Sequence, residues 1–144
     1  MNIDTFNEKF TGHLQIKLSK AAVPVSQRVM NGKAIPSAKI ISLKLNVEIF
    51  DEDKFRKATQ EELDEIIFDI AKITIRSLES LSTEHMAPNS KNFTVKDFFA
   101  AIEEHERVIR PKINWFGGVD IHHVCFEGIM EIKQYFAGLY PRPC

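Results

Sequence analysis

The densest cluster of reactive side chains lies between Asp120 and Glu127, near the end of the chain. Its carboxylate and imidazole groups are the kinds of ligand that zinc or manganese takes. On a strand, Asp120 and His122 share one face and are the candidate metal ligands, whereas His122 and His123 point to opposite faces. Even on a helix, adjacent histidines diverge by about 100°. No ligand spacing in the chain requires a metal, and the sequence predicts no cofactor.

The same cluster offers a nucleophile. His123, Cys125 and Glu127 alternate along the other face of the predicted strand, and a thiol needs a neighbouring base or cation to become a reactive thiolate. Residues two apart on a strand are separated by roughly 6.5–7 Å, which is too far for a direct hydrogen bond unless Gly128 forms a bulge. A buried cysteine that packs as a small hydrophobe is the commoner case.

A second kind of chemistry is anion binding. The segment from Lys9 to Val47 contains no acidic residue and seven basic ones, of which Lys17, Arg28, Lys33 and Lys44 are the candidate ligand-binding residues. The following segment, Glu48–Asp69, has nine acids against three bases. The two segments either neutralise each other in the fold or leave a basic surface that attracts an acidic or phosphate-bearing partner.

Lys91 and Lys96 flank the predicted start of a helix at Thr94. Free N–H groups at a helix N-terminus bind anions, so these two lysines are further candidates for a ligand site. Ordinary capping of the helix by Thr94 is the alternative.

Bulk properties place the chain among single-domain proteins. It has 144 residues, a net charge of −1 and two cysteines, Cys125 and Cys144. Two thiols do not make a disulfide framework, which indicates a reducing compartment. Neither an N-terminal apolar targeting segment nor an apolar run of about 20 residues is visible, so we expect a cytoplasmic protein with no membrane partner.

The element expected to organise the fold is a long amphipathic helix at Thr59–Leu81, or about 59–82. Its apolar residues recur at intervals of three and four, and Thr59 with Glu62 matches a capping box. Their apolar stripe is wide enough to contact a sheet and a second helix. This helix is therefore expected to be scaffold.

The other elements are shorter. The pattern predicts a short N-terminal helix capped by Asn2 or Asp4, a strand at His13–Ser19, a strand at Lys39–Phe50 and a second helix at about 94–110. In the Lys39–Phe50 strand, the odd-numbered apolar residues from Ile41 to Ile49 are expected on one face. Its unusual length suggests a free edge that pairs two copies of the chain.

Three regions complete the prediction. Residues 20–38 are expected to form a mobile loop or a β-arm, with a hairpin at Asn31-Gly32. Residues 82–92 are expected to be a polar loop and 140–144 a tail. Val119–Glu127 suits a strand, while 129–137 suits either a strand or a helix. The predicted fold is α+β, with an antiparallel sheet packed on one face by its helices.

These observations favour a non-enzymatic binding or inhibitor protein. It would engage a protein partner or an anionic ligand, such as a nucleic acid or a nucleotide, through the basic β surface. Small regulators carried by phages and mobile elements are analogous in size and charge segregation. The alternative is a small hydrolase that uses Asp120, His122, His123 or Cys125, with or without a metal.

Overall fold

The computed structural model describes residues 1–19, 39–76, 81–112, 114–115, 118–119, 123–132, 135–137 and 142–143. For 114–115, 118–119, 123, 131–132, 135–137 and 142–143, the backbone alone is described. The predicted arm at 20–38 and its Asn31-Gly32 hairpin lie outside these ranges. Of the predicted tail at 140–144, residues 142–143 form a short strand.

The chain is α+β, as the sequence predicts. In order, the elements are α1 (Ile3–Lys9), β1 (Phe10–Leu18), β2 (Ile40–Asp51), β3 (Lys54–Lys57), α2 (Gln60–Leu63), β4 (Ile66–Phe68), β5 (Lys72–Arg76), β6 (Ser82–Met86), β7 (Phe93–Thr94), α3 (Val95–Ile109), a 3-10 turn (Arg110–Lys112), β8 (Asn114–Trp115), β9 (Gly118–Val119), β10 (His123–Phe126), β11 (Met130–Ile132), β12 (Tyr135–Ala137) and β13 (Arg142–Pro143). An antiparallel sheet has the strand order β13-β10-β1-β2-β3, and a second sheet has the order β11-β12-β5-β6.

Helix α3 is the central helix of the fold. It starts with a capping box, in which Thr94 accepts from the N–H of Asp97 and the Asp97 carboxylate accepts from the N–H of Thr94. Its apolar face packs with residues of both larger sheets, including Ile49 of β2 and Ile75 of β5. The predicted second helix at 94–110 is therefore confirmed. It organises the core, a role that was expected of the longer helix at Thr59–Leu81.

The predicted long helix at Thr59–Leu81 is wrong. Its capping box is real, with Thr59 and Glu62 bonded to each other's backbone N–H, but the helix α2 ends after one turn at Leu63. The chain then enters strands β4 and β5. Residues 66–76 contain six β-branched side chains, which favour strands over helices: Ile66, Ile67, Ile70, Ile73, Thr74 and Ile75.

Two other regions expected to be irregular are strands. Ser82–Met86, predicted as part of a polar loop, pairs along its whole length with β5. Lys54–Lys57, predicted as a charged connection, pairs with the end of β2 and forms a hairpin. Within 129–137 the strand alternative is correct for the described segments Met130–Ile132 and Tyr135–Ala137, because β11 and β12 pair antiparallel.

Strand β2 confirms the prediction at Lys39–Phe50 with one local difference. Leu43 and Ile49 are buried on the predicted apolar face, but Ile41 is 61% exposed. The register with β1 shifts here, since Lys17 pairs with Ser42 while Leu18 pairs with Ile40. Ile41 is the extra residue of this bulge, and Ile40 takes the inward position.

Phenylalanine rings fill the core between α1, α3 and the five-stranded sheet. The ring of Phe6 on α1 lies 5.1–5.8 Å, between centroids, from four other rings: Phe10, Phe98, Phe99 and Phe126. Both helices therefore cover the same face of that sheet. No helix within the described residues is long and apolar enough to cross a membrane.

Candidate functional site

The face of the five-stranded sheet that points away from the helices is exposed and bears basic, polar and aromatic side chains. We call it the open face. Because side chains alternate along a strand and directly paired residues share a face, the register assigns its members. They are Thr11, His13, Gln15 and Lys17 from β1, Ser42, Lys44, Asn46, Glu48 and Phe50 from β2, Phe55 and Lys57 from β3, and Cys125 from β10.

Lys17 and Lys44 form the basic end of the open face. Gln15 pairs with Lys44, and Lys17 pairs with Ser42, so the two lysines are diagonal neighbours on adjacent strands. Both lysines are exposed. The structure thus brings together two of the basic residues that the sequence singles out, while Arg28 and Lys33 lie outside the described residues.

The opposite end of the open face is aromatic. Phe50 and Phe55 pair across the β2–β3 hairpin with ring centroids 5.2 Å apart, and they are 47% and 63% exposed. They line a groove of about 490 Å³ with buried Phe10 and Phe126 and with five polar residues, namely Asn7, Glu8, Lys9, Thr11 and Glu127. Sequence reasoning missed this groove because it missed strand β3.

A network of ion pairs fixes the hairpin against α1 and α2. Glu62 accepts two hydrogen bonds from Arg56, at 2.8 and 3.0 Å, and its carboxylate lies 3.0 Å from the ammonium of Lys9. Arg56 also pairs with Asp51 at 3.2 Å. These bonds hold the pKa of the Glu62 carboxyl well below its usual range, with Arg56 as the largest cause.

Asn7 fixes the other wall of the groove. Its side-chain amide donates to the backbone carbonyl of Ile129 at 2.9 Å and accepts from the N–H of Ile129 at 2.8 Å. Gly128 permits this contact because its φ is +116°, and a Cβ there would lie 2.7 Å from Oδ1 of Asn7. Gly128 lies in the segment after the end of β10 at Phe126, so the bulge predicted there stays a prediction.

Helix α3 covers part of the edge of β2 that was expected to pair two copies. The backbone N–H of Leu45 donates to the carboxylate of Glu103 at 3.0 Å, and Arg107 donates to the carbonyl of Leu43 at 3.3 Å. Glu103 and Arg107, one helical turn apart on α3, thus bond to backbone groups of β2 that a neighbouring strand would otherwise bond to. At Leu43–Leu45 the edge is bonded to the chain's own helix, which weighs against the edge dimer.

A buried polar cluster joins α3 to β6. Oγ1 of Thr83 lies 2.6 Å from Nε2 of His85 and 2.6 Å from Nδ1 of His105. His105 is fully buried, and its Nε2 has no hydrogen-bond partner. Burial, followed by the positive charges of His85 and Arg110, lowers the pKa of His105 from 6.5 to about 4. Burial also lowers the pKa of His85.

Arg110 and Glu106 form an ion pair beside this cluster. The guanidinium of Arg110 contacts Oε2 of Glu106 at 2.8 and 2.9 Å, and both residues are buried. Removing one partner of a buried pair leaves an uncompensated charge, so we interpret this pair as structural. Sequence patterns gave no signal for Thr83 or His85, which approach His105 from β6.

Lys91 and Lys96 are exposed on either side of the start of α3. Three backbone N–H groups at this helix start already have acceptors, since those of Thr94 and Asp97 belong to the capping box and that of Val95 bonds to the carbonyl of Glu65. The carboxylate of Asp97 also occupies the position that an anion would take. The geometry therefore gives this candidate anion site little support.

The Asp120–Glu127 cluster is described in part. Asp120 and His122 lie outside the described residues, and His123 is described by its backbone alone, in β10. Cys125 pairs with His13 in the sheet and is disulfide-bonded. A disulfide at Cys125 removes the support that the small number of cysteines gave to a reducing compartment.

No group of three or more metal-ligating side chains is present within the part of the chain that the structure describes. Comparison with protein-family models, curated proteins and solved structures finds no match to this chain. The candidate site therefore rests on the geometry of the open face itself.

Proposed function

We propose that this protein is a non-enzymatic binding protein whose open face docks a protein partner. The observation that carries the proposal is the asymmetry of the five-stranded sheet. One face packs on α1 and α3, while the other bears exposed basic, polar and aromatic side chains. The basic end at Lys17 and Lys44 would bind acidic side chains of the partner, while Arg28 and Lys33, which lie outside the described residues, stay predicted ligand-binding residues.

A protein partner suits this surface better than a nucleic acid does. Domains that bind nucleic acids are commonly strongly basic, with a pI above about 9, whereas this chain has a pI of about 6.5. Bases would have to stack on Phe50 and Phe55 for an aromatic platform to operate. The carboxylate of Glu8, which lines the groove beside these rings, would repel a phosphate there.

The enzyme alternative depends on residues outside or at the margin of the described part of the chain. A disulfide-bonded Cys125 lacks the thiolate that a nucleophile requires. A metal-dependent hydrolase using Asp120 and His122 stays a prediction. Metal analysis of the purified protein tests it, and stoichiometric zinc or manganese that is lost in His122→Ala would favour the enzyme.

A short fluorescent oligo-glutamate peptide tests the proposed basic end. We expect salt-sensitive binding that weakens roughly tenfold in the double variant Lys17→Glu, Lys44→Glu, because each exposed charge pair is worth about 0.5–1 kcal/mol. Lys112→Glu is the matched control, since this exposed lysine follows α3 and lies outside the open face.

Two outcomes of this titration contradict the proposal. If the double variant and the Lys112→Glu control weaken binding equally, the peptide responds to net charge and not to the open face. If a single-stranded oligonucleotide binds more tightly than the peptide and loses that affinity in the double variant, the partner is a nucleic acid.

A further inference from the structure

Three side chains of complementary chemistry lie in one row across the middle of the open face. His13 of β1 pairs directly with Cys125 of β10 on one side and with Asn46 of β2 on the other. Directly paired residues of an antiparallel sheet point to the same face, with Cβ atoms about 4.5–5.5 Å apart. The register therefore places a sulfur, an imidazole and a carboxamide side by side, in that order.

The row is accessible from solvent. His13 is exposed, while Cys125 and Asn46 are half-buried. In the described part of the sheet, β10 is next to the last strand, β13, which has two residues. One of them is Pro143, which has no N–H to donate to a neighbouring strand. Cys125 thus lies close to the edge of the sheet.

The order of the three groups suits proton transfer to and from sulfur. Sulfur reacts as a thiolate, and a neighbouring imidazole stabilises the thiolate by holding its proton. A third group that accepts from the other ring nitrogen keeps the imidazole in the required tautomer, and the carboxamide of Asn46 suits this role. On β2 the residues diagonal to His13 are Lys44 and Glu48, whose opposite charges offset each other.

We propose that this row is a thiol–disulfide exchange site, in which an incoming thiol attacks the sulfur bonded to Cys125. The imidazole of His13 takes the proton of that thiol, the new S–S bond forms to the attacked sulfur, and Cys125 leaves as a thiolate beside the imidazolium. A second thiol then displaces the first from the mixed disulfide. In total, two thiols are oxidised to one disulfide and the protein disulfide is reduced to two thiols. His13 is the catalytic base, and Asn46 is a positioning residue.

The rate at which 2-mercaptoethanol reduces the full oxidised chain tests the role of His13. We expect His13→Ala to slow the reduction at neutral pH about tenfold, and added imidazole to restore part of the rate. Asn46→Ala should slow it by a few-fold through the lost orientation of the ring. Gln15→Ala is the matched control, because it truncates the next exposed side chain along β1 on the same face.

Alkylation by iodoacetamide gives a second readout, which does not need the disulfide. Cys144→Ser leaves Cys125 as the single cysteine of the chain. The alkylation rate at about pH 7, relative to that at about pH 9, measures the thiolate fraction at neutral pH. We expect this ratio to fall about tenfold when His13→Ala is added, less with Asn46→Ala, and to stay unchanged with Gln15→Ala.

The incoming thiol can belong to a small molecule or to a cysteine of a docked partner. An oligo-glutamate peptide that ends in cysteine represents the second source, and this arm alone rests on the proposed function. If Lys17→Glu slows reduction by the peptide but not by 2-mercaptoethanol, the thiol comes from a docked partner. If it slows neither, a small thiol is the substrate, and both results support the exchange site.

Three outcomes overturn the inference. The first is equal reduction rates in His13→Ala and Gln15→Ala. The second is an acceleration by imidazole that is the same in His13→Ala as in the unmodified chain. The third is an alkylation ratio that His13→Ala leaves unchanged while the circular dichroism spectrum stays intact. A failure of oligo-glutamate to bind contradicts the docking proposal alone, since 2-mercaptoethanol carries no charge.

Discussion

Acidification should destabilise this protein between about pH 6.5 and pH 4 through one buried side chain. His105 is neutral in the folded chain because burial and the charges of His85 and Arg110 lower its pKa from 6.5 to about 4. In the unfolded chain the imidazole takes up a proton near its ordinary pKa. The unfolded state therefore binds more protons in this window, and the free energy of unfolding falls as the pH falls through it.

The size of the effect follows from the shift. A pKa change from 6.5 to about 4 corresponds to a loss of about 3 kcal/mol once the pH has passed below both values. For a chain of 144 residues this amounts to a decrease in Tm of roughly 10 °C. His85 acts in the same direction, since burial lowers its pKa as well. The pKa of Glu62 is lowered too, but from 4.5, so protonation of this carboxylate decreases the free energy of unfolding only below about pH 4.5.

Urea unfolding at a series of pH values, with His105→Phe and His105→Asn beside the unmodified chain, measures this effect. Both variants remove the titrating group. We expect each to be less stable at neutral pH but to lose much less stability on going from about pH 6.5 to pH 4. His13→Gln is the control, because His13 is exposed on the open face. Two results would refute this prediction. One is that the His105 variants lose as much free energy of unfolding on acidification as the unmodified chain does. The other is an NMR titration that gives His105 a pKa near 6.5 in the folded chain.

Three further predictions concern stability and assembly. Gly128→Ala should lower the free energy of unfolding by about 3 kcal/mol in urea titrations, because its φ is +116° and the added methyl group meets a hydrogen-bonded amide. The pair Glu52→Asn, Asp53→Gly should raise stability by about 1 kcal/mol, since both turn residues have positive φ, at 49° and 63°. The pair Glu103→Ala, Arg107→Ala should increase the dimer fraction in sedimentation velocity by uncovering the edge of β2.

Each of these predictions has a contradicting outcome. A Gly128→Ala variant as stable as the unmodified chain would contradict the described contact with Asn7. A turn variant with a lower Tm would mean that the wild-type turn residues stabilise the hairpin. Glu104→Ala is the control for the edge, since this neighbour bonds to Arg107 but not to β2. If Glu104→Ala dimerises as much as the pair Glu103→Ala, Arg107→Ala, the idea that Glu103 and Arg107 shield the edge of β2 is wrong.

Elements with a local signal were predictable from the sequence. The capping residues Asn2 and Thr94 mark the starts of α1 and α3, and the alternation in β1 and β2 identifies both strands and their inward faces. These features are encoded within a few residues of where they act. For the same reason, Lys17 and Lys44 could be assigned to one exposed surface before their pairing was known.

The elements that failed lack such a local signal. Residues 66–76 satisfy both a helical and an alternating apolar pattern, and no glycine or proline marks the turn at Asp69–Ala71. The β2–β3 hairpin was missed because its turn, Glu52-Asp53, adopts positive φ without the usual asparagine or glycine.

Sites assembled from distant residues were equally inaccessible. Thr83 and His105 are 22 residues apart in the chain, and the groove combines α1, both strands of the hairpin and the end of β10. Their members have no common spacing in the sequence. Sequence patterns therefore identified candidate side chains, but only the strand register brought Phe50 and Phe55 to the face that carries the lysines.

Docking on the open face is tested most directly by amide chemical shifts of the isotope-labelled protein during titration with the oligo-glutamate peptide. We expect the largest shifts on β1 and β2 around Gln15, Lys17 and Lys44, and in the double lysine variant the same titration should need roughly tenfold more peptide. Shifts centred on Lys91 and Lys96 at the start of α3, with an unperturbed open face, would contradict it.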